Sequence, residues 1–175
     1  MTEAQLSNAM DAYGSTVYRL ALTRMQNIAD AEDVYQEVFL RLWKQAAEDW
    51  DGDRAKAWLI RTTLNRCADL HRFRLRRPVL SFAEIPDLAQ PEDESRELWE
   101  AVSRLPEKAR TAVHLYYAEG YSAEEISRLM HIPAATVRTR LHRARKQLKE
   151  LLGGIDDETC VSRSDGTNFG PQRAE

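Results

Sequence analysis

The sequence predicts an all-α chain of two small helical domains joined by a flexible linker. Three observations carry this. Apolar residues recur at three- and four-residue steps in one segment after another, and no alternating strand pattern competes with them. Helix-capping signals punctuate the segments. A proline-bearing, acidic stretch then interrupts the periodicity in mid-chain. At 175 residues, 43% hydrophobic and 30% charged, the chain suits a folded, soluble protein whose halves have modest cores.

Leu6 to Met25 reads as the first helix, with Gly14 a point where it could break. Ala31, Val34, Tyr35, Val38, Phe39, Leu42 and Trp43 form one apolar stripe, the mark of a second helix. Asp30 is its expected N-cap, because a short acid there accepts from free backbone N–H groups. "EDWDGD" is a turn, and Ala57 to about Arg76 a long third helix. That helix turns Ala57, Ile60, Leu64, Cys67 and Ala68 to one side, and Arg61, Asn65, Asp69, Arg72 and Arg76 to the other. Pro78 to Glu94, with its prolines and acids, reads as the linker.

A second group of helices follows. Leu98, Val102 and Leu105 belong to its first helix. Pro106 opens the next, which carries Ala109, Ala112, Val113 and Tyr116 and stops at Gly120. Ser122 with Glu125 makes a capping box for a third. Met130 to Pro133 is a turn, and a last helix runs to about Leu152. The tail, 153–175, has few apolar residues and is expected to be disordered.

The formal net charge is −3, yet the charge is uneven. Residues 61–77 and 138–149 are cationic, and 78–97 hold one basic residue against six acids. "TVRTRLHRARKQLK", from Thr136 to Lys149, carries six Lys or Arg and no acid. Such clustering of one sign points to a polyanion as partner. The stretch "YSAEEISRLMHIPAATVRTRLHRARKQL" has the layout of a helix-turn-helix. Ile126, Leu129, Ile132, Val137, Leu141 and Leu148 face inward, and the second helix offers Thr136, Arg138, Thr139, Arg140 and Arg143. A helix fits the major groove of B-DNA, where arginine takes phosphate or guanine and threonine a base edge or a thymine methyl.

The front half narrows the class. "DAEDVYQEVFLRLWK" resembles regions 2.1–2.2 of bacterial sigma factors, and "AWLIRTTLNRCADLHRFRLRR" resembles regions 2.3–2.4. The segment from Leu98 to Lys149 resembles region 4. Two such regions with a short linker, and no region 1.1 or 3, resemble the extracytoplasmic-function (ECF) group of the sigma-70 family over about residues 10–150. The resemblance implies region 2 in 1–77, a linker in 78–94, region 4 in 95–152 and a tail in 153–175. It implies a protein with no catalytic site, cofactor or metal. Its partners would be core RNA polymerase (the β′ clamp and the β flap), promoter DNA and an anti-sigma factor, with no small-molecule substrate. On the matching positions it assigns Asp33, Gln36, Glu37 and Arg41 to the clamp. It assigns Asn65, Arg61, Arg72 and Arg76 to the −10 element, with Arg66, Arg74 and Arg77 adding positive charge. It assigns Thr136, Arg138, Thr139, Arg140 and Arg143 to the −35 element. Trp58 is expected to pack in the core.

Other classes fit less well. The four histidines and two cysteines have no metal-ligand spacing, and no Gly-rich phosphate loop appears. Cys67 reads as a small core residue. A helix-turn-helix regulator that is not a sigma factor is the alternative, but the receiver domain of a response regulator needs strands that the front half lacks. There is no membrane-length apolar run, and the first residues do not read as a signal peptide. The two separated cysteines suit a reducing compartment, the cytoplasm.

Overall fold

The structure is a computed structural model that describes residues 1–45, 52–76 and 93–153. Its elements are all helical: α1 (Glu3–Met25), α2 (Ile28–Lys44), α3 (Gly52–Arg76), α4 (Asp93–Ser103), α5 (Glu107–Val113), α6 (Ala123–Met130) and α7 (Ala134–Leu151), with a π-helical turn (His114–Ala118) extending α5. Most of the expected linker and tail, Trp50, Arg77 and Cys160 lie outside the described residues. Asp93 and Glu94, read as linker, already belong to α4.

Helix α1 starts at a capping box of Thr2 and Gln5 and runs through Gly14 without a break. The reason is spatial. Gly14 is buried, and a Cβ there would stand 3.0 Å from the Tyr35 hydroxyl. Glycine lets α2 approach closely, and packing outweighs the propensity penalty of about 1 kcal/mol. Gln26 takes the left-handed conformation (φ 51°) and ends α1. Asn27 follows at once as the cap of α2, its side chain accepting from the Asp30 N–H at 3.0 Å. Asp30 is therefore not the cap. It sits in the first turn, buried, with its carboxylate ion-paired to Arg74.

Val17, Ala21, Leu22 and Met25 of α1, Ala31, Val34, Val38, Phe39 and Leu42 of α2, and Leu59 and Cys67 of α3 form the front core. Trp58 and Tyr35 pack against it, half-buried. Trp43, expected in the stripe, is 42% exposed. At 3.6 residues per turn it has rotated past the edge of the face that Leu42 occupies.

In the rear half Pro106 precedes α5. The π turn ends in hydrogen bonds from the Glu119 N–H to the His114 carbonyl (3.2 Å) and from the Tyr121 N–H to the Leu115 carbonyl (3.0 Å). Gly120 supplies the positive φ (76°) that stops it. Ser122 and Glu125 close the expected capping box of α6. The turn after α6 is pinned by the Ser127 hydroxyl, which donates to the Ile132 carbonyl at 2.6 Å. Ile126, Leu129, Val137 and Leu141 are buried, with Ile132 and Leu148 packed around them.

The two halves are not separate bodies. Leu20 of α1 and Ile60 and Leu64 of α3 share one apolar cluster with Leu105, Leu115, Ile126 and Val137. Helix α3 thus has two apolar sides. Leu59 and Cys67 face the front core, while Ile60 and Leu64 face the rear one.

Candidate nucleic-acid and polymerase interface

Three exposed faces hold the candidate residues. On α7, Arg138, Thr139 and Arg143 are exposed, and Thr136 and Arg140 half-buried. At 3.6 residues per turn, Thr136, Thr139, Arg140 and Arg143 share one side of the helix, flanking the buried side of Val137, Leu141 and Ala144. Arg138 does not join them. It lies on the other flank, with Arg145, and its guanidinium is ion-paired to Glu124 of α6. Arg145 donates to the Tyr117 hydroxyl at 2.8 Å. Thr139 has turned its hydroxyl back to the Ala135 carbonyl at 2.9 Å. The face is cationic, and the Ser127 pin together with the packing of Ile126 and Leu129 on Val137 and Leu141 holds α6 against α7. The Glu125 carboxyl is held below its ordinary range by the Ser122 backbone and hydroxyl donors.

On α3, Arg61, Asn65 and Arg72 are exposed. These three and Arg76, whose side chain lies outside the described residues, fall along one side of the helix at four- and seven-residue steps. Arg72 contacts Asp69 at 2.5 Å. Two other arginines of the segment do different work. Arg74 reaches back to the buried Asp30, and Arg66 is half-buried with its Nε enclosed. Burial pushes the Asp30 carboxyl up, with Arg74 pulling it down. The expectation that Arg74 adds to the phosphate-facing charge is therefore corrected: it ties α3 to the start of α2.

On α2, Asp33, Gln36 and Arg41 are exposed and Glu37 half-exposed, with Arg41 Nε donating to Glu37 Oε1 at 3.0 Å. Sequence reading missed the apolar part of this face. Leu40 (54% exposed) and Trp43 (42%) stand among the polar groups. Next to Gln36 a shallow cleft of 480 Å³ opens between α1 and α2, lined by Gly14, Tyr18, Tyr35 and Glu32. The four-residue step from Gln36 to Leu40 and the three-residue step on to Trp43 are the signal the sequence carries for it.

Cys67 is fully buried, and desolvation pushes its thiol up to about 12. It is an inert core group. Among the described residues no helix is long and apolar enough to cross a membrane, and no cluster of His, Cys, Asp or Glu could hold a metal.

Residues 9–77 match the sigma-70 region 2 family, and residues 95–148 match sigma-70 region 4. The ECF RNA polymerase sigma factor SigM of Bacillus subtilis is 32% identical over 155 residues, covering 83% of this chain and 94% of that protein. SigE of Mycolicibacterium smegmatis is 34% identical over 161 residues, which is 86% of this chain but 62% of that protein's length. Among solved structures, sigma factor RpoE from Bartonella quintana, in complex with the anti-sigma factor NepR, superposes with a TM-score of 0.71 at 24% identity, covering 91% of this chain and 99% of that one. CnrH, in complex with the cytosolic domain of CnrY, gives 0.62 at 25% identity, over 89% and 92%. The two matched regions together take in most of the chain, in the order and with the helices described above: it belongs to the ECF group of the sigma-70 family.

Proposed function

We propose that this chain binds core RNA polymerase and directs it to promoters with two elements. The supporting observation is the co-occurrence, on one helical chain, of a mixed polar and apolar face on α2 and two separate arginine-bearing faces on α3 and α7. A DNA-binding repressor needs only the last. Asp33, Gln36, Glu37 and Arg41, with Leu40 and Trp43 among them, form the clamp-binding face. Charges give it orientation and apolar groups give it area. Arg61, Arg72 and Arg76 hold the −10 backbone, and the Asn65 amide, which both donates and accepts, reads a base edge. Thr139, Arg140 and Arg143 enter the −35 major groove beside Thr136, and Arg138 reaches a phosphate on the flank. Region 4 also meets the β flap. The role is non-enzymatic and belongs to the cytoplasm, where template and polymerase are. An anti-sigma partner is implied by the family, and RpoE from Bartonella quintana is seen with one, NepR.

Reconstitution tests this. The chain is added to core polymerase on a set of genomic promoter fragments, and start sites are mapped. Specific initiation that depends on the chain supports the reading. Binding to DNA with no initiation at saturating core would make it a helix-turn-helix regulator instead.

A further inference from the structure

The π turn His114–Ala118 carries an aromatic side chain outward. Leu115 is fully buried and Tyr116 half-buried against the rear core, whereas the Tyr117 ring beside them is 57% exposed. Tyr116 props that ring: the two meet edge-on at 75°, with centroids 4.9 Å apart. At its far end the Tyr117 hydroxyl reaches α7 and accepts from Arg145 Nε at 2.8 Å. The ring is thus exposed yet fixed in place, on a kind of turn that recurs at functional positions.

Arg138 and Arg145 are seven residues apart, so they line up on one flank of α7, two turns or about 10.5 Å from each other. Opposite the buried Val137, Leu141 and Ala144 stand Thr139, His142, Arg143 and Lys146, all exposed. A helix with its side chains is about 10–12 Å across, and the major groove about 12 Å wide. With the outermost side on the base edges, each flank of the helix faces one sugar–phosphate wall. Arg138 and Arg145 then meet the same strand at different phosphates. They differ in readiness. Glu124 holds Arg138, whereas a neutral hydroxyl holds Arg145 and leaves its charge intact. Because the phenol oxygen accepts from the guanidinium, its own O–H is kept for another acceptor, and the charge beside it strengthens that donor. A phenol O–H and the outer nitrogens of a guanidinium stand side by side, the donor set that a phosphodiester takes.

We propose that Tyr117 and Arg145 form one phosphate seat for duplex DNA, on the flank of α7 and apart from the residues that read bases. The seat deepens the −35 reading above and rests on it. It adds affinity without sequence preference and sets the rotation of α7 in the groove.

The full-length chain tests this on a labelled duplex taken from upstream of a start site that it directs, read by fluorescence anisotropy. Each phosphate of the duplex is replaced in turn by a neutral methylphosphonate. One replacement is expected to weaken binding of the natural chain and to cost Arg145→Gln nothing. Arg145→Gln itself should bind every sequence less tightly by about the same factor, with the salt slope reduced by about one. Tyr117→Phe keeps the ring on Tyr116 and loses only the hydroxyl. It should bind about two- to tenfold less tightly at an unchanged salt slope, and the same phosphate should lose part of its penalty. A merely structural Tyr117 would soften the penalty at every phosphate alike. The seat is overturned if the methylphosphonate profile of Arg145→Gln matches that of the natural chain, or if both variants bind as the natural chain does. Normal duplex binding joined to slowed initiation by polymerase also overturns it, and makes the pair a protein contact. Arg143→Gln separates the seat from the promoter reading. If that variant weakens specific binding and the two seat variants do not, the seat alone fails. If the natural chain binds promoter and scrambled duplexes alike, the promoter reading fails and takes the seat with it.

Discussion

Among the −35 arginines Arg138 is already paired with a carboxylate of the protein, and this allows a sharp prediction. To hold a phosphate it must leave Glu124. Both side chains are more than half exposed, 61% and 56%. An exposed ion pair is worth about 0.2–1 kcal/mol. Removing the acid without changing its shape, Glu124→Gln, refunds that cost and is expected to tighten −35 duplex binding about 1.4- to 5-fold. Arg138→Gln is expected to weaken it about uniformly across sequences and to reduce the salt slope by about one. In an Arg138→Gln background the effect of Glu124→Gln should shrink, since the acid there has no Arg138 to hold. Fluorescence anisotropy with a labelled duplex at several salt concentrations measures all of this. If Glu124→Gln leaves affinity unchanged with Arg138 present, or helps equally in its absence, Arg138 does not trade Glu124 for phosphate.

Three further outcomes are expected. Leu141→Ala, at a 2% exposed position between α6 and α7, should cost about 2–5 kcal/mol in urea unfolding and loosen −35 binding with it. Asn65→Ala should lower promoter-specific initiation while leaving anisotropy on an isolated −35 duplex unchanged; an equal loss in both would move Asn65 from base reading to general folding. Burial holds the His114 imidazole below its ordinary value of 6.5, against the pull of Glu119. The unfolded chain therefore binds a proton that the native one refuses, so stability is full above pH 6.5 and falls as pH drops below it, toward the folded value. Urea midpoints at pH 7.5 and 5.5 measure this slope, and His114→Gln should flatten it.

Much of this was legible because periodicity and caps are local signals. The stripe of α2, the Ser122–Glu125 box and the inward faces of α6 and α7 need only a few neighbouring residues to be read. What was not legible depends on residues distant in sequence. Gly14 looked like a breaker until Tyr35 filled the space where its Cβ would be. Asp30 looked like a cap, but Asn27 stands three residues earlier with an equally good side chain, and Asp30 answers instead to Arg74, 44 residues away. Arg110 reads as an ordinary helix-surface arginine, since nothing near it announces that the end of α1 lies above it. The π turn after α5 has no local marker either, although Gly120 signalled its end.

The arginines make the functional lesson concrete. A charge count treats them alike, and the fold divides them by partner. Arg24, Arg74 and Arg110 are spent on carboxylates and carbonyls within the protein, whereas Arg61 and Arg143 are exposed on the candidate DNA faces.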